Sequence, residues 1–320
     1  KLNISNIDLV IVNLYPFEKK INHNINSNNL SEYIDIGGPA LIRAAAKNCE
    51  DVVVISDIED YKLLVDELKN YKGSTSIKFR KLMSAKAFSL TAYYDSVISN
   101  HLNSELKIKF PSKKTIHGNL FQKLRYGENP HQESVIYSAF TNLGLNKIHG
   151  KDLSYNNYND IFSALEILKT LKKNSGTVII KHANPCGVSE EKNNFISYKN
   201  ALACDPISAF GGIVAINSII NKKVAIELNK IFLEVVICNG IDIDALKILK
   251  KKKNLRLIDA SNFIFKKSLN FNSIDENILV QSEDRKIFTK KDFKIVSKKK
   301  PSRKEMKNLV FAFNVCRYVK

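Results

Sequence analysis

The stretch DVVVI at residues 51–55 is apolar and mostly β-branched after its first aspartate. A run of this kind, without polar alternation, is typical of a strand that is covered on both faces of a sheet. A second such run, DLVIV, occupies residues 8–12. Helical patterns follow at residues 39–48, 60–68 and 77–102. This order predicts an α/β layered domain with a mainly parallel sheet and right-handed crossovers.

The alternation resumes after residues 110–118, FPSKKTIHG, a polar segment that contains Pro and Gly and has no apolar period. This segment is the best linker candidate, so we expect two domains, at residues 1–116 and 117–320. The second domain is predicted to contain strands at 177–180, 213–216, 234–238 and 255–258, and helices at 161–171, 222–232, 245–252 and 305–319. For the Asn- and Lys-rich residues 261–300 we expect loops with one or two short strands.

The chain of 320 residues carries a net charge of +18. Its cations are dispersed, with runs only at residues 250–253 and 298–300 and no interleaved aromatic residues, so we expect a solvated surface and no nucleic-acid partner. No apolar stretch reaches the roughly 18 residues of a membrane helix, and no export signal is present, which predicts a cytoplasmic protein without a membrane partner. Because the chain starts at Lys1 and ends at Lys320 inside a helical pattern, we expect a fragment that lacks both ends.

Five cysteines lie far apart in the sequence, with no Cys-x-x-Cys pair and no histidine at ligand spacing. This distribution predicts neither disulfides nor a metal site. Cys186 follows a predicted buried strand and is interpreted as a packing residue.

The first candidate site follows the run at residues 8–12, since ligands of open α/β sheets bind beyond the carboxyl ends of strands. The segment NLYPF at residues 13–17 stands there, and IDIGGPALIRAAAKN at residues 34–48 leads into a helix. Its two glycines leave backbone N–H groups free to hold an anion or a developing oxyanion. Each feature has a plainer interpretation: Tyr15 as a boundary residue, Gly-Gly-Pro as a turn and cap, and Lys47 as an exposed lysine near a helix C-terminus.

The second candidate site follows the predicted strand at residues 177–180. Lys181 and His182 come directly after it, within the motif IKHANPCG. A histidine at such a position is more often structural than catalytic. Four further motifs accompany it: LRYGENPHQ at 124–132, LSYNN at 153–157, ISAFGGIVA at 207–215 and EVVI at 234–237.

Taken together, these motifs resemble the bifunctional phosphoribosylaminoimidazolecarboxamide (AICAR) formyltransferase/IMP cyclohydrolase family, over residues 8–320. The resemblance implies an α/β fold class with two incomplete domains. The first is similar to methylglyoxal synthase, an α/β/α domain, and belongs to the cyclohydrolase. The second is similar to cytidine deaminase but lacks its zinc signature, and belongs to the transformylase.

The resemblance also implies roles for individual residues. In ring closure, catalytic roles fall on Tyr15, Asp35 and Lys47, and nucleotide contacts on Asn13, Asp35, Ile36 and Gly37. In formyl transfer, Lys181 stabilises the formyl oxygen and His182 accepts a proton. Nucleotide contacts of the transformylase fall on Arg125, Tyr126, Asn157, Gly211 and Glu234.

The implied activities are formyl transfer from the co-substrate 10-formyl-tetrahydrofolate to AICAR, and dehydrative closure of formyl-AICAR to IMP. These are the last two steps of de novo purine synthesis, and the family implies a homodimer. The alternative is a truncated, non-catalytic remnant that binds a nucleotide or serves as a dimer scaffold.

Overall fold

The computed structural model describes residues 5–22, 27–139, 142–265 and 269–319. The chain divides into two compact units, Lys1–Asn119 and Leu120–Lys320. The division falls at the C-terminal end of the predicted linker. Across the described ranges, no helix combines the length and the apolar character needed to cross a bilayer.

In the described residues of the first unit, two strands lie beside four α-helices. Its elements are β1 (Leu9–Ile11), α1 (Phe17–Asn22), α2 (Gly37–Lys47), β2 (Val53–Ile55), α3 (Tyr61–Asn70) and α4 (Ile77–Glu105), with 3-10 helices at Ser27–Tyr33 and Ile58–Asp60. The strands pair in parallel, with Leu9 opposite Val53. All of β2 is buried, as predicted for residues 51–55, whereas Leu9 and Ile11 of β1 are exposed. The core forms where α2 and α4 pack on β2.

The second unit is built around a larger sheet. Its elements are β3 (Asn119–Lys123), β4 (Val135–Ser138), β5 (Asn146–His149), α5 (Tyr155–Leu168), β6 (Gly176–Lys181), β7 (Asn184–Glu190), α6 (Asn194–Cys204), β8 (Ile213–Ile216), α7 (Lys222–Leu228), β9 (Val235–Cys238), α8 (Ile243–Leu249), β10 (Arg256–Asp259), β11 (Leu269–Ile274), β12 (Asn277–Ser282) and α9 (Arg303–Cys316). The helices and strands predicted between residues 161 and 319 are present; β8 has the predicted bounds, and the ends of the others are shifted by a few residues. The last helix starts at a capping box formed by Ser302 and Glu305.

The main sheet has six strands in the order β5-β10-β9-β8-β6-β7. Strands β8, β9 and β10 are parallel, whereas β5, β6 and β7 run antiparallel to their neighbours. The sheet of this unit is therefore mixed, whereas the two strands of the first unit pair in parallel, as predicted for that unit. The missed strand β7 reads NPCGVSE, which lacks an apolar run because it is an edge strand, and its Pro185 lies at a register shift.

Helices cover both faces of this sheet. Side chains that alternate along the strands point to opposite faces, so Ile179 packs with α6, α7 and α8 while Val178 and Ile180 pack with α5. Helix α6 was not predicted; its first turn is held by Asn193, whose side chain accepts from the N–H groups of Phe195 and Ile196.

Gly187, the last residue of the IKHANPCG motif, marks a close approach between β7 and α6. A Cβ atom there would lie 2.0 Å from the carbonyl oxygen of Ala201. We expect Gly187→Ala to lower the free energy of unfolding by about 3 kcal/mol, because overpacking forces the helix off the strand. Urea unfolding followed by circular dichroism measures this change.

The matched control is Gly37→Ala, since a Cβ at Gly37 meets nothing within 4 Å. This control should change the unfolding free energy by less than about 1 kcal/mol. Equal effects of the two substitutions would show that the contact with α6 does not constrain Gly187.

Candidate functional site

The first candidate site lies where β1 and β2 end. Asn13 follows β1, and its amide nitrogen donates to the carbonyl oxygen of Ser56, which follows β2, at 3.3 Å. The hydroxyl of Tyr61 donates to the Asn13 amide oxygen at 2.9 Å. The carboxyl ends of the two parallel strands thus meet at this polar edge, as expected for a ligand site of an α/β sheet.

Asp35 connects this edge to the start of α2. Its carboxylate accepts from the backbone N–H of Gly38 at 2.7 Å and from that of Tyr15 at 3.4 Å. Its own N–H donates to the hydroxyl oxygen of Tyr94, which in turn donates to the carbonyl oxygen of Tyr33. Asp35 therefore holds an N–H group in the first turn of α2 together with the segment that carries Tyr15.

The other predicted residues of this site are exposed, and they lie at different distances from Asp35. Ile36 and Gly37 are exposed, and the Tyr15 side chain is 54% exposed. Lys47 is exposed in the last turn of α2, roughly 15 Å along the helix axis from the residues at its start. In the part of the chain that the structure describes, no hydrogen bond or ion pair joins the Lys47 side chain to Tyr15 or Asp35. The structure thus brings Asn13, Tyr15, Asp35 and Gly37 to one edge and leaves Lys47 apart from them.

The second candidate site lies at the end of β6. Lys181 is the last residue of this strand, and its ammonium group donates to the carbonyl oxygen of Phe210 at 2.8 Å. His182 follows in the turn to β7 with an exposed side chain. Gly211 adopts a left-handed conformation with φ of +73°, which favours glycine at this position.

Among the described strands around this site, β6 contributes its carboxyl end. Because β6 runs antiparallel to β8, its end lies beside the amino ends of β8 and β9, where Gly211 and Glu234 stand. The N–H of Glu234 donates to the carbonyl oxygen of Gly212 at 3.0 Å. The mixed sheet thus gathers Lys181, Gly211 and Glu234 at one edge, which a wholly parallel sheet would not do.

Asn157 in the first turn of α5 brings a further predicted residue to this edge. Its amide nitrogen donates to the carboxylate of Glu234 at 2.8 Å. Arg125 stacks on the ring of Tyr126, with its guanidinium carbon 5.3 Å from the ring centroid, and the Tyr126 carbonyl oxygen accepts from the N–H of Tyr155, two residues before Asn157. The structure therefore places four of the predicted nucleotide contacts of this unit around the start of α5: Arg125, Tyr126, Asn157 and Glu234.

Two charged residues of this edge were not predicted from the sequence. Arg256 is 7% exposed, and a nitrogen of its guanidinium lies 3.7 Å from the Glu234 carboxylate. Burial lowers the pKa of Arg256, and Glu234 opposes that shift. Asp160, half-buried on α5, accepts from the N–H of Ala183 at 2.6 Å. The sequence hinted at these two residues only by a charged side chain within or beside an apolar run. Arg256 lies between Leu255 and Leu257, and Asp160 directly precedes Ile161.

Cys186 is unsuited to nucleophilic chemistry. Burial raises the pKa of its thiol to about 11, so the thiolate is a minor species at neutral pH. The thiol donates to the carbonyl oxygen of Ile179, which agrees with a packing role. Among the described residues, no three His, Cys, Asp or Glu side chains are grouped so that they could hold a metal ion.

The arrangement at β6 suits acyl-type chemistry. The ammonium of Lys181 can stabilise negative charge that develops on a carbonyl oxygen, and the neighbouring imidazole of His182 can accept a proton. The carboxylate of Glu234 and the guanidinium of Arg125 supply an acceptor and a cation for a polar, anionic ligand.

The chain is thus an α/β protein of two compact units, each with a polar candidate site at the ends of its strands. The family model described as the AICARFT/IMPCHase bienzyme matches residues 45–320, and the chain belongs to this family.

Similar proteins include "Bifunctional purine biosynthesis protein PurH" of Bradyrhizobium diazoefficiens, which is 44% identical over 99% of this chain and 61% of its own length. The protein of the same name from Acetivibrio thermocellus is 42% identical over 100% of this chain and 64% of its own. The protein of this name from Persephonella marina is 43% identical over 99% of this chain and 63% of its own length. The chain thus spans 61% to 64% of the length of these relatives.

Among solved structures, "Crystal structure of ForH" matches 32% of this chain and 53% of its own, with 31% identity and a TM-score of 0.27.

Proposed function

We propose that the protein carrying this chain transfers a formyl group from 10-formyl-tetrahydrofolate to AICAR and then closes formyl-AICAR to IMP. The observation that carries the proposal is the Lys181–His182 pair at the end of β6, beside Asn157 and Glu234, in a member of the AICARFT/IMPCHase family. A non-catalytic remnant is the less favoured alternative, because both sites retain the groups that the chemistry needs.

In formyl transfer, the 5-amino group of AICAR attacks the formyl carbon. This amine is a weak nucleophile next to its carboxamide, so its proton must leave as the bond forms, and His182 accepts it. Lys181 stabilises the oxyanion of the tetrahedral intermediate. The carbon–N10 bond then breaks, and the proton passes to N10 of the departing tetrahydrofolate. Arg125, Tyr126, Asn157, Gly211 and Glu234 hold the nucleotide.

In ring closure, the carboxamide nitrogen of formyl-AICAR attacks its own formyl carbon, and water is lost from the carbinolamine. The step needs a fixed rotamer and proton relay. We assign orientation of the carboxamide to Asp35 and donation to the carbinolamine oxygen to Tyr15. The family resemblance adds Lys47 as a second donor, although Lys47 lies at the opposite end of α2 from Asp35 in the structure. Asn13, Ile36 and Gly37 contact the nucleotide.

The proposal extends to the finer fold, to partners and to location. The first unit would be part of a methylglyoxal-synthase-like domain and the second part of a cytidine-deaminase-like domain. We propose a cytoplasmic homodimer that uses folate as co-substrate and has no resident metal, no nucleic-acid partner and no membrane partner.

The test is an assay of the full-length protein with AICAR and 10-formyl-tetrahydrofolate. We expect equal amounts of tetrahydrofolate and IMP, and no tetrahydrofolate when AICAR is omitted. If AICAR raises the thermal unfolding midpoint but no tetrahydrofolate forms, the non-catalytic alternative is correct.

A further inference from the structure

The turn between β6 and β7 has an unusual backbone for its sequence. Lys181 pairs with Asn184, so His182 and Ala183 are the two central residues of a tight hairpin. Both are left-handed, with φ of +52° and +59°. Hairpin turns with two left-handed residues favour Asn-Gly or Gly-Gly, because a Cβ in this conformation costs about 1 kcal/mol or more per residue.

A strained turn persists only where its surroundings stabilise it, and such turns are concentrated at functional sites. Here the turn carries His182 and follows Lys181, the two groups that face the reacting atoms in the proposed transfer. A change in the turn would therefore move both groups together.

Asp160 supplies the stabilising contact. Its carboxylate oxygen accepts from the N–H of Ala183 at 2.6 Å. Burial raises the pKa of Asp160, and the hydrogen bond from the Ala183 N–H opposes that shift. A backbone N–H group of a turn can hold an anion, and here the group it holds is a carboxyl side chain of the same unit.

Helix α5 connects this contact to the nucleotide contacts. Asp160 lies three residues after Asn157, so both project from one face of the helix. Asn157 and Ser154 form a capping box that fixes the start of α5, and Asn157 also donates to Glu234. Helix α5 therefore fixes the position of the turn relative to Asn157 and Glu234, the proposed nucleotide contacts.

We propose that Asp160 is a positioning residue for formyl transfer: its carboxylate holds the His182–Ala183 turn left-handed, so that His182 and Lys181 face the substrate together. The inference rests on the proposed function. It assigns Asp160 no contact with the substrate.

The test uses Asp160→Ala, Asp160→Asn and Asp160→Ala with Ala183→Gly, each in the full-length protein. For Asp160→Ala we expect a fall of about 100-fold in kcat for formyl transfer, the size expected from misplacing catalytic groups by about 1 Å. The KM for AICAR should stay within about threefold because Asn157 and Glu234 are retained, and closure of added formyl-AICAR should be unchanged.

Asp160→Asn keeps an oxygen acceptor and should stay within about tenfold of wild type in kcat. The double variant should recover at least about tenfold over Asp160→Ala, because glycine adopts the left-handed conformation without a Cβ cost. Asn159→Ala, at the adjacent exposed position of α5, is the matched control and should keep wild-type kcat.

The outcomes separate the positioning role of Asp160 from the proposed function. If wild type transfers formyl groups and Asp160→Ala keeps its kcat within threefold, the positioning role is wrong and the proposed function stands. A loss of kcat that parallels a fall in unfolding midpoint and is not recovered by Ala183→Gly would mean a merely structural role. If wild type transfers no formyl group, both the function and the positioning role are wrong.

Discussion

Replacing His182 by alanine in the full-length protein should lower the rate of formyl transfer by about 10³-fold, within the range for removal of a general base. The imidazole is exposed at the tip of the β6–β7 turn, so its removal leaves the core of the unit intact. The release of tetrahydrofolate from 10-formyl-tetrahydrofolate and AICAR measures this loss. Closure of added formyl-AICAR should proceed at the wild-type rate, because the residues proposed for closure lie in the other unit.

The control for His182 is His149→Ala, which removes another imidazole from the same unit. His149, the last residue of β5, is half-buried, and its Nε2 forms a hydrogen bond with the carbonyl oxygen of Lys252. We expect this variant to lose some stability but to keep formyl transfer within about threefold per folded molecule. Undiminished formyl transfer in His182→Ala would remove His182 from the mechanism.

Replacing Lys47 by alanine should lower the rate of ring closure by at least about 10²-fold and leave formyl transfer unchanged. Loss of the ammonium removes a donor to the carbinolamine oxygen. The change is measured as conversion of formyl-AICAR to IMP. Lys47 is exposed and makes no side-chain hydrogen bond or ion pair with another described residue, so alanine should not disturb the fold.

The matched control for Lys47 is Lys69→Ala, an exposed lysine in the last turn of α3. It removes the same charge from an equivalent helix position and should leave both activities at wild type. This comparison matters because the structure leaves Lys47 away from Tyr15 and Asp35. Wild-type closure in Lys47→Ala would limit the closure site to the edge formed by Asn13, Tyr15, Asp35 and Gly37.

The two candidate sites differ in how far sequence could predict their geometry. Around Asp35, the glycines and the helix start are neighbours in sequence, so local rules were enough to predict them. The contacts of Asp35 with Tyr15 and Tyr94 span 20 and 59 residues and depend on the fold. Around Lys181, the neighbours come from residues 125, 157, 211 and 234, and their meeting depends on which strands pair. The motifs marked these residues without indicating that the amino ends of β8 and β9 meet the carboxyl end of β6.

The sequence by itself determined the buried strands, most helices and the motifs of both sites, because β-branched runs, helical periodicity and turn residues act over a few neighbouring residues. Only the tertiary structure decided the antiparallel strand β7, the left-handed turn at His182 and Ala183, and the contacts of Asp160 and Arg256. The physical reason is that the contacts of Asp160 and Arg256 join residues distant in the chain, while β7 and its turn lack both an apolar run and the Asn-Gly or Gly-Gly sequence that would signal them. A carboxylate or guanidinium acquires its role from the N–H group or charge that folding brings beside it.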